Sequence, residues 1–120
     1  MKIEILEQYK KAWENHDLSI LGEIFHENII YQEKPDSIIC GLNNLEIYWQ
    51  ENSRKQVDVR FTINRWIAKD DSIIVDWAVQ FYDKKKQQNI YLVGIMWIDI
   101  FEDKIIRLKE FFLNAQENKQ

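Results

Sequence analysis

The last apolar run of the chain, "IIRLKEFF" at residues 105–112, contains a carboxylate on a face that is otherwise hydrophobic. Side chains of a β-strand alternate between the two faces of a sheet, so Ile106, Leu108, Glu110 and Phe112 share one face. This face is the more apolar of the two, and we expect it to point inward. Burial raises the pKa of a carboxyl group, which prepares it as a general acid or base near neutral pH. Glu110 is therefore the first candidate for catalysis.

The inward orientation of Glu110 depends on the turn that precedes its strand. In "EDK", a turn centred on Asp103 and Lys104 sets Trp97 opposite Glu110 across the hairpin. A three-residue turn would reverse the faces and expose Glu110. The alternative to catalysis is a structural role, in which Glu110 is hydrogen-bonded to a Tyr or Trp and orders the core.

Composition and charge narrow the functional classes. The 120 residues suit a single domain, 1–120, and the net charge of −4 argues against nucleic-acid binding, which requires a basic surface. One cysteine, Cys40, cannot form an internal disulfide and lies in no nucleophile motif. The charged start "MKIEILEQYKKAW" is typical of neither a signal peptide nor a membrane span. We therefore expect a cytoplasmic protein that binds neither nucleic acid nor a membrane.

Metal and cofactor motifs are not found in the sequence. The spacing of His, Cys and carboxylate residues fits no metal site, and no glycine-rich loop is present that could hold a phosphate. We expect neither a metal nor a cofactor.

The elements that position Glu110 begin with helices. Apolar residues at spacings of three and four predict an amphipathic helix over 2–14, and Asp17 is a suitable N-cap for a short second helix. A short strand over 29–33 ends at Pro35, which cannot donate a ladder hydrogen bond, and residues 36–37 form a surface turn. A third helix follows Gly41.

The second half of the chain changes to a period of two. Strands are predicted over 57–63, 73–81, 90–101 and 105–112, and a polar tail covers about 114–120. Three helices followed by an antiparallel meander predict an α+β fold with the helices on one face of a curved sheet.

The third of these strands is apolar on both faces. Ile95 and Trp97 share one face, while Met96 and Ile98 share the other. Because the helices can cover only one face, we expect a homodimer in which a second copy covers the other.

The order of these elements resembles the nuclear transport factor 2-like superfamily, also called SnoaL-like, over nearly the whole chain. Three segments carry the resemblance: "YKKAWENHDLSILGEIFHENIIYQE", "GLNNLEIYW" and "YLVGIMWIDIFEDKIIRLKEFF". The resemblance implies a cone-shaped α+β barrel, in which a bent, mostly antiparallel sheet wraps around three helices and encloses a pocket. The family includes ketosteroid isomerase, polyketide cyclases, an epoxide hydrolase and non-catalytic domains, so the fold leaves the chemistry open.

Ketosteroid isomerase provides a mechanistic comparison for the pocket. It combines a tyrosine on the first helix, an aspartate base on the first strand and a protonated aspartate on a later strand. The resemblance implies Tyr9 as the oxyanion donor and, depending on alignment by one residue, Glu33 or Lys34 at the position of the base. The resemblance also puts Trp97 at the position of the protonated aspartate. Since an indole cannot share a proton as a carboxylic acid does, we do not expect steroid isomerase activity.

We therefore expect a protein that binds a small apolar or aromatic molecule and, if catalytic, transfers protons without a cofactor, as in an isomerase, dehydratase or cyclase. The expected catalytic residues are Glu33, Glu110 and Tyr9. The expected ligand-binding residues are Trp13, Tyr31, Tyr48, Trp49, Phe61, Trp77, Ile95, Trp97 and Phe112. The alternative is a non-catalytic interaction module with a packed cone. A cavity of about 300 Å³ or more, lined by both carboxylates, would favour ligand binding.

Overall fold

The computed structural model describes residues 3–115, and its helices and strands follow the predicted order. The helices are α1 (Glu4–Asn15), α2 (Leu21–Ile24) and α3 (Leu42–Lys55), with a 3-10 turn at Leu18–Ile20 before α2. The strands are β1 (Phe25–Lys34), β2 (Ser37–Cys40), β3 (Gln56–Lys69), β4 (Ser72–Asp83), β5 (Gln88–Phe101) and β6 (Lys104–Asn114). Residue 2 of the predicted first helix and residues 116–120 of the predicted tail lie outside the described residues.

The helices form where their apolar spacing and caps predict them. α1 buries one stripe, made of Ile5, Leu6, Tyr9, Ala12 and Trp13. The backbone N–H of Ser19 donates to the Asp17 carboxylate at 3.0 Å, so Asp17 is the cap that the sequence indicated. Within residues 3–115, no helix has the length and apolar character needed to cross a membrane.

One six-stranded sheet forms the other layer, in the order β2-β1-β6-β5-β4-β3. Every neighbouring pair is antiparallel except β1 and β6, which run parallel. β3 carries two irregularities in its pairing with β4, after Val57 and after Ile63, and bulges of this kind bend a strand. The sheet is curved, and the helices pack on one of its faces.

The hydrophobic core lies between this face and the helices, and its centre is aromatic. The Tyr9 ring contacts the rings of Phe25, Trp49 and Phe61 edge-on, with centroids 5.5–6.1 Å apart. Tyr9, Phe25 and Trp49 have no exposed surface. Rigid rings that meet at fixed angles thus fill the centre of the core.

Two features of the first half differ from the sequence prediction. β1 begins at Phe25, four residues before Ile29, because Phe25 already pairs with Ile105 of β6. The segment after Pro35 forms strand β2, in which Ile39 pairs with Tyr31 of β1, so the predicted surface turn is wrong from Ser37 onward. Pro35 therefore lies in the turn of a hairpin.

Candidate active site

Glu110 lies on the buried face of β6, and its side chain is 7% exposed. Burial raises its pKa to about 8, with a smaller contribution from the negative charge of Glu33; a hydrogen bond from Tyr9 acts in the opposite direction. A carboxyl group with this pKa is largely protonated at pH 7 and can donate a hydrogen bond or a proton. The inward orientation predicted for Glu110 is confirmed.

The partner predicted for Glu110 across the hairpin is wrong. The turn consists of Glu102 and Asp103, both with positive φ (54° and 63°), so it falls one residue earlier than predicted. A bulge at Ile106 then shifts the register, and Met96 lies opposite Glu110. At the start of β6 the bulge places Ile105 inside, where alternation without a bulge would have put it outside.

Glu33 lies on β1. The structure decides between Glu33 and Lys34 as the residue that faces the cavity. The Tyr48 hydroxyl donates a hydrogen bond to Glu33 Oε2, whereas Lys34 is exposed. Burial raises the pKa of Glu33, and the hydrogen bond from Tyr48 partly offsets this effect. In the parallel β1–β6 ladder, Gln32 of β1 pairs with Lys109 of β6. The next residue is Glu33 on β1 and Glu110 on β6.

The two carboxyl groups line one cavity of about 60 Å³. Its walls are Trp13, Glu33, Tyr48, Gln56, Phe61, Trp77, Val79, Phe81, Leu92, Glu110 and Phe112. This volume holds roughly two to four water molecules and is far below the 300 Å³ that would favour ligand binding, although both carboxylates line the cavity as expected. Three hollows of about 440, 390 and 450 Å³ are open surface grooves, and neither carboxylate lines them.

The expected role of Tyr9 does not fit its position. Its hydroxyl donates to Glu110 Oε2 at 3.4 Å, and the side chain is fully buried behind the cavity wall. Burial, followed by the charge of Glu110, raises the pKa of Tyr9 well above its usual value of 10. Tyr9 is therefore placed to position Glu110, while a bound ligand would meet Glu110 itself.

Tyr31 and Trp49 also lie behind the wall. Both are fully buried, and neither lines the cavity. The Trp49 indole N–H donates to the carbonyl oxygen of Ala12 at 3.3 Å. These two aromatic residues belong to the packed core beneath the cavity, and their expected contact with a ligand stays a prediction.

Ile95 and Trp97 lie on the opposite face of the sheet and are 41% and 49% exposed. The shifted register sends both side chains outward, and the Trp97 indole donates to Asp99 Oδ1 at 3.2 Å. The expectation that they line the cone is therefore also wrong for the single chain. Trp13, Tyr48, Phe61, Trp77 and Phe112 do line the cavity.

Four wall residues were absent from the expected set: Gln56, Val79, Phe81 and Leu92. Val79 and Phe81 belong to the apolar face of β4 that alternation already indicated, so the pattern of that strand contained the signal. Gln56 follows α3 directly and had no such signal.

Polar atoms without partners surround the cavity. Among residues 3–115, the buried Trp13 Nε1, Trp77 Nε1 and Gln56 Oε1 have no hydrogen-bond partner. A buried polar group without a partner costs about 1–3 kcal/mol. Neither carboxylate forms an ion pair within the described residues. The residues that line the cavity therefore include an unpaired indole donor on Trp77, an unpaired carbonyl acceptor on Gln56 and two carboxyl groups.

Metal ligation has no candidate in the described residues, because no group of three or more His, Cys, Asp or Glu side chains converges there. Cys40 is free and exposed on β2.

Three helices packed on a six-stranded, mostly antiparallel curved sheet define a class of small cone-shaped α+β proteins. The sequence profile of the SnoaL-like domain matches residues 6–108, and the chain belongs to this family. The resemblance stated from the sequence is confirmed. Among curated proteins, none shows significant sequence similarity to this chain.

Solved structures with the same fold share little sequence with this chain. A protein of unknown function from Burkholderia pseudomallei, similar to nuclear transport factor 2, superposes with a TM-score of 0.82 at 11% identity, covering 98% of this chain and 95% of that one. An epoxide hydrolase of M. tuberculosis has a TM-score of 0.81 at 13% identity, with 92% and 81% covered. A protein of Catenulispora acidiphila with a ketosteroid isomerase-like fold, in complex with trimethylamine, has a TM-score of 0.81 at 13% identity, with 92% and 86% covered. These similarities establish the fold.

Proposed function

We propose that this protein binds a small organic molecule in the cone and transfers protons within it without a cofactor. The observation that carries the proposal is the presence of two carboxyl groups in one aromatic cavity, neither with an ion-pair partner in residues 3–115. When the surroundings of two such groups give them different pKa values, the group with the higher pKa acts as the acid and the other as the base. Glu110 is the proton donor, and Glu33, held as a hydrogen-bond acceptor by Tyr48, is the base.

The reaction begins at a carbon atom next to a carbonyl group. The Glu33 carboxylate removes a proton from this carbon, and Glu110 donates its proton to the carbonyl oxygen, which gives an enol. Return of the proton to a different carbon isomerises the molecule. A hydroxyl group on the next carbon leaves as water with the proton that Glu33 took, while the enol O–H returns its proton to Glu110, and the molecule is dehydrated. Alternatively, the enol carbon attacks a second carbonyl group, whose oxygen takes the proton from Glu33 while the enol O–H returns its proton to Glu110, and a ring closes.

The cavity volume limits the ligand. About 60 Å³ holds roughly two to four non-hydrogen atoms, so a six-atom ligand such as cyclopentanone enters only if wall side chains move. Apolar wall residues such as Phe61 and Phe112 favour a compact carbon skeleton over a strongly hydrated one.

Cyclopentanone in D₂O tests the proposal, because exchange of its α-hydrogens can be followed by NMR. The wild-type protein is expected to accelerate the exchange. Glu33→Gln should slow it by about a hundredfold or more, the contribution of a positioned base. Glu51→Gln, on the exposed side of α3, is the matched control and should leave the rate unchanged. Equal rates for wild type, Glu33→Gln and buffer would contradict the proposal.

The small volume also favours a second candidate, a non-catalytic module whose cone is closed by its own side chains. In this case neither cyclopentanone nor any other small probe would shift the NMR signals of the wall residues. Binding of the probe without exchange would instead identify a ligand carrier.

We also propose a homodimer through the outer face of the sheet, here called the outer patch: Ile74, Ile95, Trp97, Phe111 and Leu113. These side chains are 38–73% exposed. Ile74 pairs with Trp97 and Ile95 with Phe111, so the patch is continuous across β4, β5 and β6. A second copy related by a two-fold axis would present the same apolar patch in return.

A cytoplasmic location, proposed from the composition, would keep Cys40 reduced.

A further inference from the structure

The Trp77 indole is a buried donor without an acceptor in the part of the chain that the structure describes. Trp77 is 2% exposed, its Nε1 atom is buried, and the residue lines the cavity together with both carboxylates. An indole N–H can only donate, so its partner must be an acceptor. Buried donors of this kind normally have a partner from protein or water.

Within residues 3–115, Trp77 differs from the other buried or hydrogen-bonded indole groups in having no polar partner for its N–H. The N–H groups of Trp49 and Trp97 donate to Ala12 O and Asp99 Oδ1, respectively. Trp13 Nε1 has no partner within hydrogen-bond geometry, but the indole lies beside the Tyr9 hydroxyl and lowers its pKa. Trp77 has no comparable neighbour among the described residues, although its ring is firmly held.

Two aromatic rings fix the orientation of Trp77. Its ring stacks on Phe61 with centroids 5.7 Å apart and an interplanar angle of 16°, and Phe112 contacts it at 6.2 Å. Phe61 is itself buried against Tyr9 at 5.5 Å. The indole donor is thus held in place before any ligand arrives, which is the requirement for stabilising a developing charge.

We propose that Trp77 Nε1–H donates a hydrogen bond to the oxygen of the bound molecule, and that the ligand class is therefore a small neutral carbonyl compound. Protonated Glu110, in the same wall, supplies a second donor to this oxygen. The inference rests on the proposed function, since it assigns a donor to the carbonyl oxygen on which that function depends and adds that the compound is neutral. The base Glu33 repels carboxylate ligands, and an ammonium group offers no acceptor to the indole.

The binding test compares two probes of equal size, cyclopentanone and cyclopentylammonium. Cyclopentanone should move the Trp77 indole signal in a ¹H–¹⁵N spectrum and lower the carbonyl stretching frequency of the bound ketone. Trp77→Phe keeps an aromatic ring and removes the donor, so it should weaken ketone binding by about five- to tenfold and abolish the frequency shift. Trp66→Phe, an exposed indole on β3, is the control and should behave as wild type.

The outcomes separate this inference from proton transfer. Ketone binding with the Trp77 shift but without α-hydrogen exchange supports the inference and contradicts the catalytic proposal. Exchange with an unmoved Trp77 signal, or tighter binding of cyclopentylammonium, overturns the inference and leaves proton transfer standing. Failure of both probes to bind overturns both. The wild-type spectrum alone decides the matter if Trp77→Phe does not fold.

Discussion

The protonated state of Glu110 couples the candidate site to the stability of the whole chain. Its pKa is about 8 in the folded state against an ordinary value of 4.5, so the folded protein retains a proton that the unfolded chain releases. Between these two pH values the unfolded state gains stability as it ionises. The contribution of Glu110 to folding is therefore fully present below pH 4.5 and decreases up to pH 8.

Glu110→Gln should remove this dependence. The free energy of unfolding of the wild type should fall, relative to the variant, by up to about 1.4 kcal/mol per pH unit between pH 5 and 8. Urea unfolding at four pH values measures the difference, which isolates Glu110 from other titrating groups such as His16. Glu51→Gln should keep the wild-type slope. Parallel curves for Glu110→Gln and wild type would contradict a raised pKa.

Tyr48 controls the other carboxylate. Its hydrogen bond to Glu33 holds the pKa of Glu33 below the value that burial alone would give. Tyr48→Phe should therefore raise the pKa of Glu33, measured from the ¹³C carboxyl signal, and move the acid limb of the exchange rate to higher pH. Tyr82→Phe, outside the cavity wall, is the control. An unchanged titration of Glu33 would exclude Tyr48 as its regulator.

At the scale of elements, the approach of β5 to β6 depends on Gly94. A Cβ atom at this position would lie 2.2 Å from the carbonyl oxygen of Phe111 and 2.8 Å from Cβ of Phe112. These are backbone and near-backbone atoms of the strand that carries Glu110, so a side chain at residue 94 would force the strands apart. The short distance between the two strands thus positions Glu110, the proposed proton donor.

Gly94→Ala should lower the free energy of unfolding by about 1–3 kcal/mol or more, the cost of overpacking. It should also reduce α-hydrogen exchange, because β6 shifts. Gly22→Ala is the control: its Cβ would lie 3.8 Å from Leu42 Cδ2, an ordinary contact, and alanine favours the helix. Urea midpoints compare the two variants. A stable, fully active Gly94→Ala protein would show that the strands can separate freely.

Local pattern predicted most elements but not their registers. Alternation identified the inner faces of β4 and of the later part of β6, and spacing identified α1 and α3, because each signal lies within one element. Trp97 was misplaced because its side depends on a turn at Glu102 and a bulge at Ile106, which no periodicity shows. Tyr9 was expected to act on the ligand in the same site as Glu110, yet only packing reveals that its hydroxyl lies behind the wall and donates to Glu110.

At the scale of the molecule, the outer patch determines the expected assembly. Phe111→Lys places a charge at the centre of the patch and should convert the dimer to a monomer, measured by sedimentation at several concentrations. Ile47→Lys on α3 provides a closely matched control, because Ile47 and Phe111 are both 57% exposed. Identical sedimentation of Phe111→Lys and wild type would place the assembly elsewhere. A wild-type monomer would contradict the homodimer.

The bulge at Ile106 also has a consequence for how such a protein changes over evolutionary time. Downstream of the bulge, which adds one residue to β6, Glu110 lies inside and Phe111 outside. Loss of the codon for Ile106 would remove the extra residue and leave the pairs from Asp99–Arg107 to Leu92–Asn114 unchanged. Glu110 would stay inside and Phe111 outside. A deletion of three nucleotides at the bulge would thus be absorbed without moving the candidate acid or the outer patch, whereas the same deletion in a regular strand would exchange its two sides.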